Sequence, residues 1–400
     1  MIKELKKGHT LLIKGPTRIE ILEGIIEIFG KEITNDKKDN NLVIPSAARY
    51  PLYAINDSKL EIIANKPEEN LEQLKNNSIS KEWEEIKDEI LDYISNKNDD
   101  APVRIMTLGI SSGKTAIIKY LANNLLKNGL KGGYLDSDLG QQMMFLPTTI
   151  NIGEIKGSIF SGEDIKPEYT KFIGATFPKG NLKFIVSHFC KDLIDSYIKK
   201  HKDSDFILID SDGWIKTEAG IIYKNFFINA INPDFIILFQ DEEVEELKEI
   251  EKKAKSKKSR KILTIKESNE FFYERSKEER RFLRQSQFSK ILGEYRKMTI
   301  PLNDIKFVKH DYDEEEDKIS ETEINPEELV KLPYHYVIIA LLTARSKLIK
   351  IGLLFSINLE KEYILLFSDL SYKEQIKIKK ILIGSLRLST KGNHQGYLYL

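Results

Sequence analysis

The chain has 400 residues, enough for two or three domains, and its 62 basic and 62 acidic side chains give a formal net charge of zero. This balance excludes a strong overall positive electrostatic field that would attract nucleic acid. Any contact with nucleic acid therefore needs a local basic patch. The single cysteine, Cys190, excludes an internal disulfide, and the sequence lacks a membrane-length apolar run and a signal-peptide pattern, so we expect a cytoplasmic protein without membrane contact.

Residues 1–66 contain short apolar runs separated by glycine turns, such as Thr10–Ile13 and Gly24–Phe29. Turns at this spacing predict an N-terminal β-rich domain, either a sandwich or a barrel. The stretch 67–101 is polar, and the pattern around Trp83 predicts a helical connector.

Residues 102–298 alternate apolar runs with helical patterns, which indicates a mostly parallel sheet. The predicted strands are 103–108, 132–135, 206–210, 234–239 and 261–265.

A Gly-Lys-Thr sequence at 113–115 follows the first of these strands and precedes a helical pattern. Backbone N–H groups of such a turn bind phosphates, while Lys114 reaches the β- and γ-phosphates and Thr115 holds Mg²⁺. The predicted nucleotide-binding residues are Gly109, Ile110, Ser111, Ser112, Gly113, Lys114, Thr115 and Ala116. Leu108 replaces the first glycine of the usual pattern G-x-x-x-x-G-K-[ST]. Its side chain adds bulk where the loop curves, which leaves nucleotide affinity open.

Two acids, Asp136 and Asp138, follow the strand 132–135. At the carboxyl edge of a parallel sheet, such carboxylates hold metal-bound water or accept a proton from an attacking hydroxyl. Taken alone, the pair is better explained as two solvent-facing acids that close a turn.

The buried-strand pattern Phe206–Asp210 predicts a metal-binding aspartate at Asp210, with Trp214 just beyond the strand. Trp214 is either a core aromatic or a platform for a nucleobase. Asp212 places an extra negative charge near this end of the site, which we expect to affect the preferred nucleic acid.

Charged segments follow. The basic run 252–258 fits either a phosphate contact or a solvated helix face. Arg280 and Arg284 share one helical face, either as a lid over phosphates near 270–292 or on an ordinary amphipathic helix. The acidic stretch Asp311–Glu328 predicts an exposed excursion, and 299–400 as a whole a C-terminal β-rich domain. The scattered histidines show no metal-ligand spacing, and we assign them no role.

In this order, the motifs resemble those of the polynucleotide 5′-hydroxyl kinases related to the kinase subunit of the pre-mRNA cleavage complex and to nucleolar rRNA-processing kinases, in an archaeal-type form. The segments that carry the resemblance are Gly113–Thr115, Asp136–Gln141, Gly174–Asn181, Asp210–Ile215 and Arg275–Arg284. It extends to Gly15-Pro16 and to Gly384–Leu388. It implies an α/β fold, in which a central P-loop domain with a mostly parallel sheet is flanked by smaller β-rich domains.

The resemblance also implies roles. Lys114 stabilises the transferring phosphoryl group, Asp138 activates the RNA 5′-hydroxyl, and the lid arginines Arg280 and Arg284 neutralise charge, with Arg280 favoured for the γ-phosphate. Thr115, Asp136 and Asp210 are the implied Mg²⁺ ligands, and Gln141, Thr176 and Trp214 are the implied substrate contacts.

The implied activity is transfer of the γ-phosphate of ATP to the 5′-hydroxyl of RNA in RNA processing, with DNA left open as a second substrate. Protein partners from RNA processing are implied too, while the oligomeric state stays open. One alternative is an ATP-binding scaffold subunit without turnover. Another is a different NTPase, although no guanine-reading Asn-Lys-x-Asp sequence follows 235–239.

Overall fold

The structure, a computed structural model, describes residues 1–36, 40–110, 113–266 and 269–400. It has an α/β fold with several sheets, as the sequence predicts. Among the described residues, none of the helices has the length and apolar content that crossing a bilayer requires.

The N-terminal region consists of two antiparallel sheets whose buried side chains share one core. Its strands are β1 (Ile2–Leu5), β2 (Thr10–Lys14), β3 (Thr17–Glu23), β4 (Ile25–Ile28), β5 (Lys31–Thr34), β6 (Asn41–Ile44), β7 (Arg49–Ala54), β8 (Ser58–Ile63) and β9 (Leu71–Leu74). Over the described residues the strand orders are β1-β8-β3-β6 and β5-β4-β7-β2-β9. Helix α1 (Lys81–Ser95) follows and buries Trp83. Strand β9 lies inside the predicted helical connector and pairs with β2, so the N-terminal sheet continues beyond residue 66.

The central region contains the sheet that positions the functional residues. Its strands are β10 (Val103–Leu108), β11 (Gly132–Asp136), β12 (Thr149–Glu154), β13 (Tyr169–Phe172), β14 (Phe206–Asp210), β15 (Phe235–Phe239) and β16 (Lys261–Ile265). Its helices are α2 (Lys114–Lys127), α3 (Leu182–Lys200), α4 (Glu218–Ile231), α5 (Glu245–Lys255) and α6 (Lys277–Leu292).

The strand order of this sheet, across the described residues, is β13-β12-β11-β14-β10-β15-β16. Strands β11, β14, β10, β15 and β16 run parallel to one another, while β12 and β13 add antiparallel strands at one edge. Strands β14 and β15 are buried at every position, as expected for parallel strands covered by helices on both faces. The carboxyl ends of β10, β11 and β14 therefore meet at one edge.

The C-terminal region is a second large sheet. Its elements are β17 (Arg296–Pro301), β18 (Lys306–Asp313), β19 (Lys318–Ile324), α7 (Pro326–Leu329), β20 (Val337–Leu342), β21 (Leu348–Asn358), β22 (Tyr363–Ser368), α8 (Tyr372–Gln375), β23 (Lys380–Leu388) and β24 (His394–Tyr397). In the described part of the chain its order is β17-β22-β21-β20-β23-β18-β19, with β24 beside β23. The acidic stretch predicted as an exposed excursion forms the end of β18, strand β19 and α7.

The two large regions touch through backbone at two glycines. A Cβ atom at Gly174, where φ is +74°, would lie 2.3 Å from the Cα of Gly384. The carbonyl oxygen of Gly174 accepts hydrogen bonds from the N–H groups of Ser385, at 2.9 Å, and Leu386, at 3.0 Å. This contact anchors the segment after β13 to the C-terminal sheet.

A second contact between the regions involves His310 on β18. Its ring packs edge-on against Phe189 of α3, with 5.0 Å between ring centroids. Burial lowers the pKa of His310 from 6.5 to about 4, with nearby Lys171 lowering it further and Glu321 opposing the shift. The imidazole is therefore neutral in the folded protein at pH values where the unfolded chain binds a proton.

We expect His310 to make stability fall as the pH drops from about 6.5 to 4, because the unfolded state then binds more protons than the folded state. The gap between the two pKa values corresponds to about 3 kcal/mol. Urea unfolding of His310→Phe, compared with wild type from pH 7 to pH 4, should show a flatter pH dependence by roughly this amount. The exposed control His335→Phe should follow wild type, and equal slopes for all three proteins would contradict the prediction.

Candidate nucleotide and acceptor site

The phosphate-loop sequence lies between β10 and α2, as predicted. Gly113 caps the N-terminus of α2 with φ +86°, a backbone conformation that glycine adopts without strain. Lys114 Nζ donates a 2.6 Å hydrogen bond to the carbonyl oxygen of Gly109 across the loop. Ile110 and Ala116 flank these residues and are partly exposed, whereas the predicted contacts Ser111 and Ser112 lie outside the described residues.

Leu108 lies in the sheet, before the turn begins. It is the last residue of β10 and is fully buried in the apolar core that the central sheet shares with helices α3, α4 and α5. It lies in register with Leu238 of β15. The side chain that we expected to disturb the curvature around the phosphate therefore packs under the sheet. Gly109, with φ +156°, begins the turn one residue later.

Asp210 at the end of β14 is the centre of a hydrogen-bond network. Thr115 donates to Asp210 Oδ2 at 2.7 Å, and Thr107 donates to Oδ1 at 3.3 Å. The hydroxyl of Tyr134 donates to Oδ2 as well, at 3.4 Å. A hydroxyl and a carboxylate this close are oxygen ligands of the kind Mg²⁺ binds, so Thr115 and Asp210 fit the metal role that the sequence predicts.

Asp136 lies directly beside Asp210, because the two residues are in register on the parallel strands β11 and β14. One Asp136 oxygen accepts from the N–H of Met143 at 2.6 Å, and the other accepts from the N–H of Asp138 at 3.3 Å. Both carboxylate oxygens of Asp136 thus bind the backbone of the loop that follows β11. The predicted direct metal contact of Asp136 stays a prediction.

Asp138 is half-buried at the start of that loop. Its Oδ1 accepts hydrogen bonds from the N–H groups of Gly140 and Gln141, both at 2.9 Å. In the described part of the chain, Oδ2 has no hydrogen-bond donor. One oxygen therefore holds the loop, and the other can take a proton.

Burial perturbs the charged groups of the site. It raises the pKa of Asp136 well above its usual range, and the neighbouring carboxylate of Asp210 raises it further. Burial also raises the pKa of Asp210, which Lys114 and Thr115 oppose. For Lys114, burial lowers the pKa while Asp210 and Asp138 raise it. The charge states of Asp136, Asp210 and Lys114 thus depend on one another, and perturbed pKa values of this kind are common at functional sites.

Helix α6, which the sequence predicts as a lid, approaches the Asp138 loop through Arg284. A Cβ atom built on Gly140 would lie 3.8 Å from Arg284 Nη1 and 3.1 Å from the carbonyl oxygen of Thr176. Burial lowers the pKa of Arg284, and Tyr397 and Asp138 raise it electrostatically. Arg280 faces the same loop through its carbonyl, which accepts from the Gln141 side chain at 3.3 Å. The predicted residues Thr176, Gln141 and Arg284 are therefore brought together around Gly140.

Trp214 follows a glycine that lies close to the phosphate loop. A Cβ atom on the preceding Gly213 would be 3.6 Å from the carbonyl oxygen of Gly109 and 3.8 Å from Lys114 Nζ. The Trp214 ring is half-buried and contacts Phe177, with ring centroids 4.4 Å apart. Since Phe177 directly follows Thr176, we treat Thr176, Phe177 and Trp214 as one wall next to the phosphate loop.

Comparisons with known proteins find two matching family models. A family model described as the mRNA cleavage and polyadenylation factor CLP1 P-loop matches residues 109–292. A second model, described as the N-terminal domain of the polynucleotide 5′-hydroxyl-kinase NOL9, matches residues 1–125. The chain thus resembles the CLP1 P-loop over its central region and the NOL9 N-terminal domain over its first 125 residues.

Curated relatives agree with this assignment. A polyribonucleotide 5′-hydroxyl-kinase of Pyrococcus horikoshii is 30% identical over 51% of this chain and 54% of its own length. One from Methanocaldococcus jannaschii is 26% identical over 76% of this chain and 91% of its own length. The chain thus spans about half the length of the first relative and nearly all of the second.

A solved structure described as a complex of wild-type Clp1p with Pcf11p has the same overall fold. It superposes with a TM-score of 0.71 at 14% identity, covering 97% of each chain. The likeness therefore extends over the N-terminal, central and C-terminal regions.

The environment of Asp212 differs from the one that the sequence predicts. It is 8% exposed, and its Oδ1 lies 3.1 Å from the ammonium of the fully buried Lys224. The same carboxylate accepts from the N–H of Trp214 at 2.8 Å and from the hydroxyl of Tyr223 at 2.9 Å. The predicted extra negative charge is therefore neutralised, and Asp212 instead positions Trp214.

Sequence reasoning missed several partners of the site: Thr107, Tyr134, Phe177, Tyr223 and Lys224. Tyr223 and Lys224 lie more than ten residues after Asp212 on α4, so no local spacing indicates the contact. Phe177 lies inside a motif segment and could have been found from its position next to Thr176.

One histidine has an unexpected environment away from this site. Ligand atoms of His201, Glu154 and Glu168 all lie within 4.8 Å of one another. Glu168, however, pairs with His201 at 2.7 Å and with Lys200 at 2.9 Å. These contacts form an ion-pair network in which the Glu168 carboxylate is already neutralised.

Proposed function

We propose that this chain is an ATP-dependent polynucleotide 5′-hydroxyl kinase that phosphorylates RNA. The observation that carries the proposal is the position of Asp138. This carboxylate is close enough to Lys114 of the phosphate loop and to Arg284 of α6 to interact electrostatically with both, and its loop approaches Arg284 at Gly140. The names of the Pyrococcus and Methanocaldococcus relatives support the same activity.

In the proposed reaction, ATP binds with its phosphates at the N-terminus of α2, where backbone N–H groups and the helix dipole attract anions. Lys114 leaves the Gly109 carbonyl and pairs with the β- and γ-phosphates. Thr115 and Asp210 would hold Mg²⁺, which neutralises charge on the phosphates when bound. The described residues supply the oxygen ligands that this ion requires.

The acceptor's 5′-oxygen attacks the γ-phosphorus in line. A new O–P bond forms, the β,γ-bridging P–O bond breaks, and ADP leaves with the electron pair. Asp138 takes the proton of the 5′-hydroxyl on Oδ2. Arg284 and Lys114 neutralise charge on the transferring group. The resemblance favours Arg280 for this contact, whereas the closeness of Arg284 to Gly140 leads us to propose Arg284.

The terminal nucleotide of the acceptor is held by Trp214 and Thr176, on the wall that continues into Phe177. Stacking on an aromatic ring accepts any base and contributes about 1–3 kcal/mol. We therefore propose weak sequence preference, with RNA as the main acceptor and DNA as a second acceptor to be tested. Protein partners from RNA processing are part of this proposal as well, because the structural neighbour is bound to Pcf11p.

The test is transfer of radiolabel from γ-labelled ATP to a short RNA carrying a 5′-hydroxyl. We expect labelled RNA, and no labelling of the matched RNA that already carries a 5′-phosphate. Label released as inorganic phosphate without RNA would indicate another NTPase. ATP that binds and stays intact with RNA present would indicate the scaffold alternative.

A further inference from the structure

Two exposed tyrosines lie beside the lid helix. Tyr397 is 40% exposed and Tyr399 is 72% exposed, whereas Leu398 between them is 1% exposed. This alternation directs the buried leucine into the C-terminal core and both tyrosines to the same outer side. Their ring centroids are 6.2 Å apart. We call Tyr397 and Tyr399 the tyrosine rim.

The rim is held in a defined position. The N–H of Leu398 donates to the carbonyl oxygen of Ser385 at 2.7 Å. Upstream, Gly392 has φ +77°, and a Cβ atom there would lie 2.8 Å from the backbone nitrogen of Ser289 on α6. The chain just before the rim thus passes directly against helix α6, and the backbone of the rim itself is hydrogen-bonded to β23.

The rim adjoins the acceptor site on two sides. Lys179, two residues after Phe177, places its ammonium 5.7 Å from the ring centroid of Tyr399. On the other side, Arg284 interacts electrostatically with both Tyr397 and Asp138. The tyrosines therefore lie next to the same two elements that border Asp138 and Trp214.

The charges around the rim are positive. His394 contacts Tyr397, with 4.9 Å between ring centroids. Partial burial lowers the pKa of His394, and the neighbouring guanidinium groups of Arg281 and Arg284 lower it further. In a chain of zero net charge, these arginines and Lys179 form the kind of local basic patch that nucleic acid requires.

We propose that the tyrosine rim stacks on the bases that follow the 5′-terminal nucleotide of a single-stranded acceptor. Lys179 and Arg281 hold the intervening phosphates. Exposed aromatic rings interleaved with cations are the means by which proteins bind single strands without reading their sequence. This inference rests on the proposed function for the identity of the terminal nucleotide, but the binding surface itself can be tested separately.

The experiment compares wild type with the double variant Tyr397→Ala, Tyr399→Ala. Loss of one or two stacked bases should raise KM for a 5′-hydroxyl hexanucleotide RNA by about tenfold or more relative to KM for a nucleoside 3′-phosphate. The kcat for the hexanucleotide should change less than twofold. The Tyr397→Phe, Tyr399→Phe variant keeps both rings and should behave as wild type, which separates stacking from folding.

Tyr372→Ala is the matched control, because Tyr372 is 76% exposed on α8 in the same region. Binding of a labelled hexanucleotide without ATP is measured in parallel by fluorescence polarisation. Weaker binding of the alanine pair alone supports the rim even if no phosphate is transferred, in which case only the proposed function fails. Equal binding and equal KM ratios for the alanine pair and Tyr372→Ala would overturn the inference.

Discussion

Asp138→Asn is expected to lower kcat for RNA phosphorylation by about 10²- to 10⁴-fold, the usual contribution of a general base. Asparagine keeps the Oδ1 acceptor that binds the N–H groups of Gly140 and Gln141, so the loop should stay in place. It loses the oxygen that takes the proton. The KM for ATP and the thermal unfolding midpoint should therefore remain close to the wild-type values.

The comparison with Asp138→Ala separates chemistry from loop structure, since alanine also removes the two loop hydrogen bonds. We expect this variant to lose activity and to weaken RNA binding as well. Asp203→Asn, at a surface aspartate with 68% side-chain exposure, is the control. Steady-state kinetics at saturating ATP decide the matter: if Asp138→Asn keeps more than a tenth of wild-type kcat, another group accepts the proton.

Lys224→Met is expected to destabilise the protein by about 3–5 kcal/mol, because it leaves the carboxylate of Asp212 buried without its cation. In the described residues, Lys224 makes no directed hydrogen bond. Its ammonium is held by Asp212 and by the ring of Tyr223, whose centroid is 4.7 Å away. Pairing Lys224→Met with Asp212→Asn removes both charges and should restore more than half of the lost stability.

Urea unfolding measures the stability of these variants, with Lys248→Met as the control. Lys248 forms a surface ion pair with Glu245 and has 51% side-chain exposure, so we expect a change below about 0.5 kcal/mol. Acrylamide quenching reports Trp214 separately, because Trp83 is fully buried. Greater quenching in Lys224→Met is expected, since Asp212 holds the Trp214 backbone. If Lys224→Met alone were as stable as the double variant, the ion pair between Lys224 and Asp212 would make no contribution to stability.

The parallel strands were predictable almost to the residue because each is a short apolar run that ends in a polar turn. Phe206–Asp210 and Phe235–Phe239 have this pattern and are buried throughout. Strands β12 and β13 were missed. Thr149–Glu154 and Tyr169–Phe172 contain polar residues and pair antiparallel at the sheet edge, so their sequences lack the continuous apolar run.

The candidate site shows the same limit. Motif order located Asp136, Asp138 and Asp210 because strand ends converge at one edge of a parallel sheet. The environments of Leu108 and Asp212 depended on partners in other elements, Leu238 of β15 and Lys224 of α4. A buried lysine looks like any surface lysine in a helix sequence, and contacts of this kind follow from packing rather than from spacing.

The backbone contact between Gly174 and Gly384 bears on how much of this chain the acceptor site needs. The stretch that leads to Thr176 and Phe177 packs against the C-terminal sheet at Gly174, where there is no room for a side chain in between. A fragment ending after α6 would retain every phosphate-loop and carboxylate residue. It would lack the backbone contact that supports Gly174, so for the proposed reaction we expect the catalytic unit to be the whole three-part assembly and not the P-loop region alone.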